Sequence, residues 1–270
     1  MSDATNGGTD WSEQVAVLMD AHANPTIDAG RNVKGGYARG LGLEYGRLAE
    51  FCLQDPVYRG ALAHADLRQS LCVPHKLMNL YLIIRYGLEN VSGDVIELGS
   101  YRGGSAVFMA AVMRALGRTS RVWALDSFEG MPPTDATRDA HRQGDFSDTS
   151  YEDLVDYVAA SGLDSHLTIV KGFFDRTLKG VAERAQRFAL VHVDCDIYEA
   201  VKHSVRTLEN HVAIGAYVVF DDPLHGSCIG AMQAVEEELI SRLGLRAEQT
   251  YPHLVYRMPR LAQAPAGRHV

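Results

Sequence analysis

A short apolar run, a glycine-rich turn and an apolar helix follow one another over residues 94–108. Residues 95–98 have the composition of a buried strand, and apolar residues recur at helical spacing from Ser105 onward. Gly99 and Gly103 let the backbone bend sharply at the turn and let a ligand approach it closely. This order of strand, turn and helix predicts an α/β protein with a ligand site at the carboxyl end of the strand.

The spacing of the turn argues against a dinucleotide. The G-x-G-x-x-G pattern that places a pyrophosphate on a helix N-terminus is missing, which disfavours an NAD-linked oxidoreductase. Instead, Glu97 stands two residues before Gly99. A carboxylate there suits a ligand with a free amine and no phosphate, such as S-adenosylmethionine. A glycine-rich turn of some other α/β protein stays the alternative.

Composition excludes several classes of protein. The 270 residues are enough for one α/β domain with an appendage, and the formal net charge of -8 argues against nucleic-acid binding. We expect no membrane partner, because no uncharged apolar run is long enough to span a bilayer and the polar start lacks the apolar core of a signal peptide. The four scattered cysteines indicate reduced thiols in a cytoplasmic protein.

The chain divides into two parts with different predicted secondary structure. Residues 1–90 predict an N-terminal helical cap over the sheet edge and the ligand cleft, with a disordered start at 1–12. Residues 91–260 alternate strands and helices, which predicts a doubly wound sheet, and residues 261–270 read as a tail. The predicted strands are 95–98, 121–125, 167–171, 188–193 and 216–220, with a closing hairpin at 247–251 and 254–258. The predicted helices are 43–53, 56–67, 74–86, 105–116, 151–160, 178–185, 200–210 and 229–243.

Polar residues follow the second and third strands of the predicted sheet. Asp126 comes about twenty residues after the glycine turn, where an acid can accept hydrogen bonds from ribose hydroxyls; a helix cap or turn aspartate is the alternative. The long polar loop 130–150 that follows is typical of a lid or of a disordered segment, and we favour a lid. Gly172 and Phe173 end the third strand and could flank an adenine, although Phe173 would fit a hydrophobic core equally well.

Two consecutive predicted strands end in pairs of acids. Asp194 and Asp196 follow one strand, and Asp221 and Asp222 follow the next. If these parallel strands are neighbours, four carboxylates meet at one edge, where unpaired carboxylates repel and resist ionisation. Oxygen-only ligands favour Mg²⁺. Single aspartates at strand ends often cap helices, but two pairs favour a metal site, and His225 close by is expected to line the substrate pocket.

Five segments, in this order, resemble the macrocin O-methyltransferase family. They are Glu97-Leu-Gly-Ser-Tyr-Arg-Gly-Gly-Ser105, Leu125-Asp-Ser-Phe-Glu-Gly-Met-Pro132, Gly144-Asp-Phe146, His192-Val-Asp-Cys-Asp-Ile-Tyr-Glu199 and Asp221-Asp222. The resemblance runs from about residue 73 to about residue 239. It implies a doubly wound, Rossmann-like class I methyltransferase sheet that uses S-adenosylmethionine and Mg²⁺ to methylate sugar hydroxyls on natural products or sugar nucleotides.

The resemblance also implies roles for individual residues. Asp194, Asp221 and Asp222 would hold the metal, and Asp196 would be the general base, alone or together with Asp194. We also count His225 as a candidate catalytic residue. The candidate cofactor residues are Glu97, Gly99, Ser100, Tyr101, Gly103, Ser105, Asp126, Ser127, Gly172, Phe173 and Asp194.

One departure from the family pattern concerns the substrate. Many members continue with an aromatic residue after the second acidic pair, whereas Pro223-Leu224-His225 follows here. A metal-dependent catechol or phenol methyltransferase and a non-catalytic S-adenosylmethionine-binding protein are the alternatives; four strand-end carboxylates argue against a pure binder. The expected partner is a small sugar-containing acceptor, and family likeness favours a homo-oligomer.

Overall fold

The computed structural model describes residues 27–28, 31–32 and 46–259. The predicted disordered start and the predicted tail lie outside these residues. The earliest described elements are β1 (Ile27–Asp28) and β2 (Arg31–Asn32), which pair as a two-residue antiparallel ladder. No strand was expected in this part of the chain, because two residues are too few for a visible alternation of apolar and polar side chains.

Three helices precede the large sheet, as the sequence predicts: α1 (Gly46–Gln54), α2 (Pro56–Leu67) and α3 (Pro74–Leu82), which continues as a π-helical segment, Ile83–Gly87. Both α2 and α3 begin with proline, whose fixed φ suits the first helical position. At α2, the side chain of Asp55 also accepts a hydrogen bond from the N–H of Val57 at 2.8 Å.

The large sheet has seven strands in the order β5-β4-β3-β6-β7-β9-β8. Strands β3 to β7 are parallel, and β9 runs antiparallel to both β7 and β8. The strands are β3 (Asp94–Leu98), β4 (Val122–Asp126), β5 (Leu167–Lys171), β6 (Phe188–Val193), β7 (Val212–Phe220), β8 (Ala247–Gln249) and β9 (Leu254–Arg257). The predicted doubly wound sheet and closing hairpin are confirmed. Strand β7 starts earlier than predicted, because it continues through Gly215, a residue type that usually indicates the end of a strand.

Helices connect the strands on both faces of the sheet. They are α4 (Gly104–Ala115), α5 (Tyr151–Ala160), α6 (Phe174–Ala185), α7 (Tyr198–Leu208) and α8 (Ile229–Val235), the last extended by a π-helical segment, Glu236–Arg242. None of the described helices is long and apolar enough to cross a membrane.

The N-terminal helices share a hydrophobic core with the sheet. One buried cluster contains Tyr58 of α2, Leu80 of α3 and Phe108 of α4, and the rings of Tyr58 and Phe108 meet edge to face at 5.7 Å. Burying side chains of this size contributes about 1.5–3 kcal/mol each. The helical segment therefore packs onto one face of the sheet across the predicted boundary at residue 90, while a second cluster under α6, α7 and α8 covers the other face.

The register of the parallel strands brings their carboxyl ends to one edge of the sheet. Leu98 of β3 is aligned with Val193 of β6, which is aligned with Phe220 of β7, so the three strands end side by side. At Gly99 the backbone has φ +92°, and a Cβ there would lie 1.7 Å from the carbonyl oxygen of Asp194. Only glycine permits this approach, which brings the turn after β3 against the acids after β6.

Candidate active site

A cavity of about 1150 Å³ lies at the carboxyl ends of the strands. It exceeds the roughly 300–1,000 Å³ of common small-ligand pockets, so it has room for a cofactor and an acceptor together. Most of the residues selected from the sequence are on its wall: Gly99, Ser100, Tyr101, Ser105, Asp126, Ser127, Phe173, Asp194, Asp196, Asp221, Asp222 and His225.

Three predicted cofactor residues do not belong to this wall. Glu97 is fully buried, and its Oε1 lies 3.0 Å from Nδ1 of His192. Gly103 has φ +80°, and a Cβ there would meet Leu154 at 2.4 Å; Gly172 has φ +136°. One carboxylate oxygen of Glu97 thus pairs with His192 behind the turn, and the two glycines allow turns that L-residues with a Cβ rarely adopt. The roles of these three residues as cofactor contacts stay predictions.

Asp126 joins the turns after β3 and β4. Its Oδ2 accepts a hydrogen bond from the N–H of Tyr101 and its Oδ1 accepts one from the N–H of Phe128, both at 2.7 Å. Burial raises the pKa of Asp126, although these backbone hydrogen bonds oppose the shift. A carboxylate has about four acceptor positions, so Asp126 keeps capacity for ribose hydroxyls on the cavity side.

Several residues of this cavity have a strained backbone. Among the described residues other than glycine, six have positive φ, and three of these line the cavity: Tyr101 (48°), Phe146 (62°) and Asp196 (59°). Such conformations are uncommon outside glycine and cluster at functional sites, where the surrounding structure holds them. Three of the six strained positions therefore belong to the site that the sequence motifs indicate.

The loop 130–150 covers one side of the cavity. Oδ1 of its Asp139 accepts a hydrogen bond from the N–H of Tyr198 at 2.9 Å, and the guanidinium of Arg138 lies 4.0 Å from the centre of the Tyr198 ring. Near its end, Asp148 accepts a hydrogen bond from the hydroxyl of Tyr101 at 2.7 Å. The loop is thus held against both the glycine turn and α7, and its opening as a lid stays a prediction.

Three of the four predicted acids are crowded together without enough positive charge. Burial, and then repulsion from the neighbouring carboxylates, raise the pKa values of Asp194 and Asp222 well above the usual range. Burial also raises the pKa of Asp196, opposed by His141, whose Nε2 is 3.8 Å from Asp196 Oδ1. Oδ2 of Asp222 accepts a hydrogen bond from the N–H of Asp196 at 2.8 Å.

Asp221 has the opposite environment. Its Oδ2 accepts a hydrogen bond from the ammonium group of Lys76, and its Oδ1 lies 3.0 Å from Nε2 of His253 and 3.8 Å from Nε2 of His192. Burial would raise the pKa of Asp221, but the two histidines and the charge of Lys76 hold it well below the usual range.

The two histidines beside Asp221 differ in charge. Burial lowers the pKa of His253 to about 4, so its ring is neutral at pH 7. Burial also acts to lower the pKa of His192, but the nearby carboxylates of Asp221 and Glu97 outweigh it and raise the pKa to about 9.

The donor chemistry of this edge fits a hard divalent cation. Side-chain atoms of Asp194, Asp221 and His192 lie within 4.8 Å of one another, and Asp222 lies on the same wall. Uncompensated carboxylates in a buried site destabilise one another unless they are protonated or bind a cation. Mg²⁺ prefers oxygen ligands of this kind.

Sequence reasoning missed the cationic and neutral partners of the acids. Lys76 and His253 contact Asp221 but stand far from it along the chain, and His141 reaches Asp196 from the loop. Lys76 lies in a helix, His253 in a hairpin and His141 in a polar loop. Nothing in the local sequence of these three residues indicates a contact with an acid. His225 is exposed at the cavity, with Nδ1 2.8 Å from the hydroxyl of Ser227.

Comparison with known proteins assigns the chain to a protein family. The sequence pattern described as Macrocin-O-methyltransferase (TylF) matches residues 72–240, which is more than half of the chain. The matched range begins just before α3 and ends in the helix after the second acidic pair, so it contains every strand end that lines the cavity.

Relatives and a solved structure agree with this match. The chain is 33% identical over 153 residues to the 8-demethyl-8-(2,3-dimethoxy-alpha-L-rhamnosyl)-tetracenomycin-C 4'-O-methyltransferase of Streptomyces olivaceus, which covers 53% of this chain and 58% of that protein. It is 28% identical over 185 residues to the mycinamicin III 3''-O-methyltransferase of Micromonospora griseorubida, covering 64% of this chain and 70% of that protein. The O-methyltransferase NovP superposes with a TM-score of 0.63 at 22% identity, covering 93% of this chain and 100% of that one. The structural likeness shows the class I methyltransferase fold.

Proposed function

Because the chain belongs to the macrocin-O-methyltransferase family, we propose that it transfers the methyl group of S-adenosylmethionine to a hydroxyl of a deoxysugar, with Mg²⁺ bound at the acidic edge. The observation that carries this proposal is the convergence of Asp194, Asp196, Asp221 and Asp222 on the wall of the cavity that also contains the glycine turn. A protein that only bound the cofactor would have no use for this group of carboxylates.

The cofactor would lie along the turns after β3 and β4. Gly99 and Ser100 give the backbone close access to the ligand, and Asp126 would accept hydrogen bonds from the ribose. Phe173 lines the cavity at the end of β5, where it would pack against the adenine. A methyl donor bound there would have its sulfonium end toward the acids, because the end of β3 lies beside the end of β6.

The metal ligands would be Asp194, Asp221 and Asp222. When bound, Mg²⁺ lowers the pKa of a coordinated hydroxyl and orients it toward the methyl donor. The chain itself supplies the alignment of the two substrates, which accounts for a large part of the rate enhancement in reactions of this type.

Asp196 would take the proton. As the acceptor oxygen forms its bond to the methyl carbon, the carbon–sulfur bond breaks, S-adenosylhomocysteine leaves, and the hydroxyl proton passes to the carboxylate of Asp196. Burial raises the pKa of Asp196, which makes it a stronger base than an exposed aspartate. Asp194 is the alternative base, and the exposure of His225 gives that residue weaker support.

Two observations favour a sugar over a catechol. The wall of the cavity carries His75, His141, His203 and Ser227, side chains that can form hydrogen bonds with several hydroxyl groups of a sugar. The tetracenomycin relative is named for methylation of a rhamnosyl derivative. Burial of all four thiols in the reduced state supports the further expectation of a cytoplasmic enzyme, and a homo-oligomer is expected from the family.

The proposed function is tested by methyl transfer with three acceptors: a rhamnosylated natural product, a deoxysugar nucleotide and a catechol. We expect S-adenosylhomocysteine to form with a sugar acceptor, to stop in EDTA and to resume with Mg²⁺. A preference for the catechol would overturn the substrate class, and full activity in EDTA would overturn the metal.

A further inference from the structure

A chain of hydrogen bonds reaches Asp221 from behind the cavity. Nε2 of Gln249 donates to Oδ1 of Asn79 at 3.1 Å, Nδ2 of Asn79 is 3.0 Å from Nδ1 of His253, and Nε2 of His253 is 3.0 Å from Oδ1 of Asp221. Gln249 is in β8, Asn79 is in α3, and His253 is the residue before β9. Asn79 and His253 are buried, and neither lines the cavity.

The direction of this chain is fixed by its first member. Because Gln249 donates an N–H to Oδ1 of Asn79, the amide of Asn79 must present its own N–H₂ group to His253. Nδ1 of His253 then accepts a hydrogen bond and carries no proton. The single ring proton is therefore on Nε2, which donates to Asp221.

Helix α3 contributes twice to the same carboxylate. Lys76 donates directly to Oδ2 of Asp221, and Asn79, one helical turn later, acts on Oδ1 through His253. Lys76, which lines the cavity, thus holds Oδ2 of Asp221, and His253 holds Oδ1 from behind the cavity. The thiol of Cys72 also lies 3.9 Å from Oδ1. Asp222, the next residue, has no such support from His253 or Lys76 among the hydrogen bonds of the described residues.

We propose that Asn79 and His253 are positioning residues that orient Asp221 as a ligand of the divalent cation. This inference rests on the metal site of the proposed function. Hydrogen bonds to the outer side of a ligating carboxylate fix its orientation, and their loss typically weakens metal binding by about 10- to 100-fold.

The test is calorimetric titration of the full chain with Mn²⁺ in the presence of S-adenosylhomocysteine and without an acceptor. His253→Phe keeps a ring of similar size but removes both nitrogens, and it should raise the Kd for Mn²⁺ by about 10- to 100-fold. His253→Gln offers an amide oxygen to Asn79 and an amide N–H to Asp221, so it should restore most of the affinity. The Kd for S-adenosylhomocysteine should be the same in all three proteins.

Two further variants keep the test decisive. Asn79→Leu removes the group that fixes the tautomer of His253 and should also weaken Mn²⁺ binding, which provides a result even if His253→Phe does not fold. Ser204→Ala is the matched control, because Ser204 is equally buried but donates to the carbonyl of Ala200 on α7; its Mn²⁺ affinity should be that of the wild type.

Three outcomes would overturn the inference. His253→Phe could bind Mn²⁺ like the wild type, or His253→Gln could be as weak as His253→Phe while both are folded, which would reduce His253 to a packing residue. If the wild-type protein bound S-adenosylhomocysteine but no Mn²⁺, the metal part of the proposed function would fail together with this inference, which separates that failure from the other two.

Discussion

Asp221 and Asp222 are consecutive residues at the end of one strand, and both are buried, yet the protein treats their charges in opposite ways. Lys76, His192 and His253 surround Asp221 and keep its pKa low, whereas burial and the carboxylates of its neighbours raise the pKa of Asp222. The difference shows that an acidic pair in a sequence is not one electrostatic unit. One member is compensated by the chain itself, and the other leaves a negative charge for a cation to compensate.

The largest expected effect is on the acid that we assign as the base. Asp196→Asn should lower turnover by about 10²- to 10⁴-fold, the usual loss when a general base is removed. Asparagine tolerates the positive φ of this position, so the backbone should be preserved and the Kd for S-adenosylhomocysteine should not change. Near-normal turnover in Asp196→Asn, combined with an inactive Asp194→Asn, would move the base to Asp194.

Matched variants of the two consecutive acids test the comparison itself. In EDTA, Asp221→Asn should lower the free energy of unfolding by about 1.5–3 kcal/mol, because it removes a charged acceptor from Lys76 and two histidines. Asp222→Asn should leave the stability unchanged or raise it, because it removes repulsion and its amide oxygen can still accept the N–H of Asp196. Urea unfolding gives both values, and a loss of the same size in both variants would contradict the distinction.

The smallest effect is expected at the cofactor turn. Asp126→Ala removes hydrogen bonds to the ribose, each with a net contribution of about 0.5–1.5 kcal/mol, and should weaken the binding of S-adenosylhomocysteine in calorimetry. Because each oxygen of Asp126 also accepts a backbone N–H group, urea unfolding of Asp126→Ala is the control for what the turn itself loses. Equal cofactor affinity in wild type and Asp126→Ala would show that this residue only supports the turn.

Much of the fold could be predicted because its signals are local. The strand over residues 188–193 and the helix over residues 151–160 match the structure to the residue, since apolar runs and periodicity report burial directly. The glycine turn could also be placed, because Gly99 is required by a contact that any Cβ would prevent. The partners of the acids could not be predicted, because Lys76 and His253 meet Asp221 only after α3 and the hairpin have packed.

Glu97 also shows what a single segment of sequence does not reveal about a side chain. Its position before Gly99 predicts a contact with the cofactor amine, and this stays a prediction. What the sequence did not show is that strand pairing places Glu97 opposite His192, with which it forms a buried ion pair. A carboxylate at the end of a strand can face the ligand or the adjoining strand. The choice depends on the residue that the neighbouring strand presents, and one segment of sequence does not contain that information.

The proposed function requires that the acidic edge hold a divalent cation beside the methyl donor. The most direct measurement is a crystal structure of the protein with S-adenosylhomocysteine and Mn²⁺, with anomalous scattering used to locate the metal. We predict one anomalous peak within about 2.0–2.6 Å of carboxylate oxygens from Asp194, Asp221 and Asp222, the range for hard cations and oxygen ligands. A peak bound by other residues, or a fully bound cofactor with no peak at this edge, would contradict it.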